Sequence, residues 1–131
     1  MNIEELREHC LSMPSAEESF PFGNDTLVFK VGGKIFLLAS LEASPLQFNA
    51  KCEPSKAIEL RENHHSVLPG YHMNKTHWNT IICDGSVVKK TLLQWVEDSY
   101  NLVLNSLPKK IKDTVLNAGK QATRGPARKR G

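Results

Sequence analysis

A chain of 131 residues that is 40% hydrophobic and 24% charged has the size and composition of one globular domain, which excludes disordered, fibrous and multidomain classes. No apolar run approaches the ~20 residues that span a bilayer, and the acidic opening Asn2-Ile3-Glu4-Glu5-Leu6-Arg7-Glu8 is unlike a signal peptide, so a cytoplasmic protein with no membrane partner is expected. The net charge of +3 is divided by position: residues 1–108 hold nine Lys and Arg against thirteen Asp and Glu, a balance of −4, while residues 109–131 hold eight against Asp113 alone, a balance of +7.

Asn2 with Glu5 three residues on has the form of a capping box, and Ile3, Leu6, Cys10 and Met13 recur at helical spacing, so a first helix is expected to about Met13, stopped by Pro14. Residues 15–24, with Pro21 and Gly23, read as a loop whose Phe20 and Phe22 anchor against the core. Thr26–Val31 and Lys34–Leu41 are β-branched and aromatic runs joined by Gly32-Gly33, the pair a tight hairpin turn favours. Leu46, Phe48, Ala50 and Cys52 alternate with Gln47, Asn49 and Lys51, which makes a strand with one buried face and one wet face. Pro54 opens a short helix to about Asn63. An irregular segment follows, then a strand over Asn79–Cys83 and a turn at Asp84-Gly85. Ser86 is the expected N-cap of a long helix to Leu107 carrying Leu92, Val96, Tyr100 and Val103 on one stripe. Lys109–Ala118 closes a domain expected at 1–118, and residues 119–131 form a basic tail, disordered from Gln121 because it has almost no apolar side chains.

The irregular segment, Pro69-Gly-Tyr-His-Met-Asn-Lys-Thr-His-Trp-Asn79, resembles the PGYHxNKxHWN signature of the MmcQ/YjbR family of small bacterial proteins. Cys10–Gly23 and Thr26–Gly33 match the pattern of the same family, in the same order, and with Leu107–Lys110 the resemblance covers roughly residues 3–110. It implies an α+β two-layer sandwich, an antiparallel sheet with helices packed on one face, of the frataxin/CyaY-like or double-wing kind, and it carries a DNA-binding label. It also implies a possible iron-binding acidic ridge, for which Glu4, Glu5 and Glu8 would serve; a solvated helix face explains them as well.

Loops that gather polar and aromatic residues carry function more often than cores do. His72, Asn74, Lys75 and His77 are therefore candidate nucleic-acid contacts, together with Lys51 on the wet strand face and Arg128, Lys129 and Arg130 of the tail. Trp78 and Tyr71 are candidates for stacking on bases, weighed against burial that fastens the loop to the sheet, which the run into Asn79–Cys83 favours for Trp78. His72 and His77, five apart, fit no zinc spacing, so no metal and no cofactor are expected. The three cysteines, without a CxxC, suit reduced core thiols. No nucleophile elbow or phosphate-binding glycine loop is present, and no enzyme is expected. The expectation is a monomer that binds DNA weakly and with little sequence preference. The alternative is a non-enzymatic adaptor that takes a protein partner or a small ligand.

Overall fold

Gly32 and Gly33 sit at φ of 58° and 84°, the left-handed region that glycine enters without strain, and they reverse the chain between the two longest strands. The structure, a computed structural model, describes residues 1–70 and 73–124, with side chains through Ala118. In chain order the elements are α1 (Ile3–Leu11), β1 (Glu17–Ser19), β2 (Thr26–Val31), β3 (Lys34–Ser40), β4 (Gln47–Lys51), α2 (Pro54–Asn63), β5 (Val67–Pro69), β6 (Trp78–Ile82), α3 (Lys89–Ser106) and α4 (Lys109–Arg124). The six strands form one sheet in the order β1-β2-β3-β4-β6-β5, with every pair antiparallel.

Alternation sends Leu27, Phe29, Leu37, Ala39, Phe48, Ala50 and Ile81 to one face. There they bury against Leu6 and Cys10 of α1 and Leu92, Val96, Tyr100 and Val103 of α3, giving the α+β two-layer sandwich with its helix layer on one sheet face. A bulge strengthens this contact: Leu37 pairs with Phe29 and Ile35 with Lys30, so Phe36 is left over and turns inward, its ring edge-on to Tyr100 at 5.2 Å. Where the bulge interrupts the ladder, the buried hydroxyl of Ser99 donates to the Phe36 carbonyl and accepts the Lys51 N–H at 2.7 Å. Both backbone groups, which lack a strand partner there, are thereby satisfied.

Several sequence expectations change. Residues 17–19, read as loop, form edge strand β1, which draws the following chain along the sheet margin; Phe20 and Phe22 are consequently 47% and 63% exposed instead of anchored in the core. Ser86 does not cap the long helix. Its N–H and hydroxyl both donate to Asp84 Oδ1, closing the turn, and α3 begins at Lys89 with Val88 as its uncapped lead-in. The helix after Pro108 continues six residues past Ala118 to Arg124, so residues 121–124, expected to be disordered, are helical, and residues 125–131 lie outside the described set. The capping box of α1 is complete, Glu5 N–H donating to Asn2 Oδ1 at 2.8 Å and Asn2 N–H to Glu5 Oε1 at 3.1 Å.

Candidate functional site

The signature segment is less a loop than a clasp between the edge strand β5 and its inner neighbour β6. Pro69 pairs with Asn79 across β5 and β6, and Gly70 N–H donates to the Trp78 carbonyl at 2.9 Å. A Cβ on Gly70 would meet Trp78 Cβ and its carbonyl oxygen at 3.0 Å, so only glycine allows this approach. The segment turns on Asn74, whose carbonyl accepts the N–H of His77 at 3.2 Å and of Trp78 at 2.9 Å, and whose Oδ1 accepts Thr76 N–H at 2.8 Å. The His77 carbonyl accepts Cys52 N–H at 2.6 Å and ties the segment to the end of β4.

Two neighbours then face opposite ways. Trp78, 8% exposed, lies on the face away from the helices, in a small cluster with Val28, Leu38, Ile35 and Met73. Asn79, 1% exposed, faces the helix layer, and its Nδ2 donates to the Ala57 carbonyl of α2 at 3.2 Å; its Oδ1 has no partner among the described residues. Of the residues singled out from sequence, Trp78 is therefore corrected from a base-stacking candidate to a buried fastener, because Val28, Leu38, Ile35 and Met73 pack around it on the open face. Asn74 holds the turn, although it remains exposed. Lys75 is exposed beside Thr76 and shares a shallow groove of about 440 Å³ with Arg61 of α2. His77 is half-buried, and Lys51, also half-buried, closes β4 opposite Trp78. Tyr71, His72, Arg128, Lys129 and Arg130 lie outside the described residues.

What the sequence does not announce is how the charges sort along the strand direction. Lys30 and Lys34 flank the β2–β3 turn, Lys51 ends β4, and the segment bearing Lys75 enters β6 at that same end. The turn itself is the seat of α4: the Gly32 α-carbon is so close to Leu107 and Ile111 that an added Cβ would meet Leu107 Cδ1 at 2.6 Å. Lys109, Lys110 and Lys112 thus join this end, making seven lysines against Glu17, which faces Lys30 across the edge, Glu53 at the start of α2, and Asp113, which is paired with Lys109. Asp25, Glu42 and Asp84 lie at the opposite end, before β2 and after β3 and β6, together with Lys90 and with Lys89, which is paired with Glu5.

Two other concavities flank the sheet. On the open face, Phe22, Leu38, Gln47, Asn49, Met73 and Thr80 line a groove of about 490 Å³. On the helix side, a cleft of about 460 Å³ between α2 and α3 holds Cys52, Trp95 and Asp98, with Lys56 there ion-paired to Glu59. The thiols are poor nucleophiles. Burial pushes Cys10 up to about 12 and Cys83 to about 11, and burial followed by the Asp98 charge raises Cys52. Glu5 is bonded to Lys89, and among the described residues no three His, Cys, Asp or Glu side chains are placed to share a metal ion.

The same fold occurs in known proteins. A crystal structure from Deinococcus radiodurans superposes with a TM-score of 0.83 at 36% identity, covering 87% of each chain. One from Pseudomonas syringae shares the fold, with a TM-score of 0.67 at 23% identity over 79% of this chain and 99% of that one. YbdF of Escherichia coli O157:H7 is 38% identical over 108 residues, 82% of this chain and 88% of its own length. YjbR of Escherichia coli K12 is 32% identical over 108 residues, 82% of this chain and 92% of its own. With residues 11–102 matching the family as a whole, the chain belongs to the YjbR family.

Proposed function

We propose that the protein is a non-catalytic nucleic-acid-binding module whose contact surface is the lysine-bearing end of the sheet together with the base of α4. The observation that supports this reading is the distribution of charge: seven lysines lie at the end of the sheet that carries the β2–β3 turn, against two at the other end, although the body as a whole is acidic. Phosphate affinity rests on cations displacing condensed counterions, and a local patch achieves that whatever the net charge elsewhere. Contacts to phosphates alone carry no sequence information, so binding is weak in sequence preference. Protonated thiols support a binding role and suit a reducing, cytoplasmic setting. Edge strands of three residues each offer little template for pairing with a second copy, which favours a monomer.

Salt-titrated binding of the full chain to duplex DNA tests the reading. Lys34→Ala and Lys51→Ala should each flatten the log–log salt slope by about 0.9, the value of one phosphate contact, while Glu42→Ala at the far end leaves it unchanged. Equal slopes for the double lysine variant and the wild type would move the interface elsewhere. The adaptor reading is favoured by one observation of its own, the cleft between α2 and α3, whose Trp95 and Asp98 suit a protein side chain better than a phosphate. A salt-independent affinity for a protein ligand that is lost on Asp98→Ala would select it.

A further inference from the structure

The open-face groove differs from the lysine end in one respect that bears on its ligand: among the described residues, no charged side chain lines it. Its walls are Phe22, 63% exposed on its loop, and the half-buried thioether of Met73, with Leu38 beneath. Its polar groups are neutral and oriented. Thr80 Oγ1 donates to Asn49 Oδ1 at 2.6 Å, which fixes that amide, while the Asn49 NH2 and the Gln47 amide have no hydrogen-bond partner among the described residues. An aromatic ring and a polarisable sulfur beside free amide donors and an acceptor match a flat, uncharged heteroaromatic ring with donors and acceptors on its edge. A volume of about 490 Å³ accommodates such a ring with its sugar.

The groove is also contiguous with the cationic end. Gln47, Asn49 and Lys51 stand on the same face of β4, and the two-residue step from Asn49 to Lys51 spans about 7 Å, comparable to one backbone step of an extended single strand. Met73 and Lys75 are likewise two residues apart on the signature segment. We propose that the groove receives one unpaired nucleobase of a single strand whose phosphates lie on the lysine end, an inference that rests on the nucleic-acid reading above. The base is held between Phe22 and Met73 and meets the amides of Gln47 and Asn49 with its edge.

The test compares the full chain bound to a short single strand and to an abasic strand of the same length and charge. The base-bearing strand should bind about tenfold more tightly, the value of one stacked base. Phe22→Ala and Gln47→Ala should each remove most of that difference while leaving the abasic affinity and the salt slope unchanged; both side chains lack core contacts that folding needs, and a thermal melt checks this. Equal affinity for the two strands, or a difference that survives Phe22→Ala, overturns the proposal and leaves the phosphate interface standing. If neither strand binds, the phosphate interface fails and free adenosine decides the groove: shifts of the Gln47 and Asn49 side-chain NH2 resonances support a nucleobase site, and unmoved resonances overturn it.

Discussion

Trp78 and Asn79 illustrate how consecutive residues in one strand serve opposite faces of a sheet. A segment rich in His, Asn, Lys and Trp reads as a surface for contact, yet the carbonyl of Asn74, the amide of Asn79 and the ring of Trp78 are all spent on joining β5, β6, α2 and the open face. The position of Trp78 at the head of a strand was legible, and with it the burial. The roles of Asn74 and Asn79 were not, because an amide that caps a turn and an amide that contacts a ligand have the same one-dimensional signature. Ser99 was missed altogether, although a serine three residues after Val96 on an apolar stripe is a visible oddity. Trp78→Ala tests the reassignment. It should cost about 3 to 5 kcal/mol in denaturant unfolding, the usual price of truncating a buried tryptophan, without altering the salt slope of DNA binding. A loss of affinity with no loss of stability would return Trp78 to the list of contacts.

Among elements, the hairpin and α1 were readable because each rests on local chemistry, a glycine pair at positive φ and an asparagine–glutamate capping box. The three-residue strands β1 and β5 were not, since Glu17-Glu18-Ser19 has no strand composition and is extended only because β2 offers an edge to pair with. Ion pairs join these pieces. Lys89 of α3, ahead of the Asn2 N–H, holds Glu5 below its ordinary value of 4.5; Arg7 does the same for Glu18 of β1; and the Ser86 hydroxyl and N–H, ahead of His65, hold Asp84 below 3.8. A carboxyl depressed in the folded state adds stability that is complete above its unfolded pKa and disappears as the pH falls through the folded one. The melting temperature should therefore be flat above about pH 5 and drop below about pH 4.5, and Glu5→Gln should make that drop shallower. A melting temperature independent of pH down to about 3 would mean these exposed pairs contribute nothing.

At the scale of the whole molecule, α3 runs from the acidic end of the sheet, where Lys89 reaches α1, to the β2–β3 turn, where Leu107 meets Gly32. Its midpoint is pinned by Ser99, which stands in for a missing strand partner at the Lys51 N–H. The Lys51 amide proton is thus held by the helix layer and not by the sheet, which makes it a reporter of whether the two layers are docked. In native-state hydrogen exchange it should open with the amides of α3, at the free energy of layer separation, whereas its strand neighbour Asn49, paired with Leu38 and Thr80, follows the sheet. Ser99→Ala should release the Lys51 proton by orders of magnitude while Asn49 keeps most of its protection, so that a single amide would time the undocking of α3.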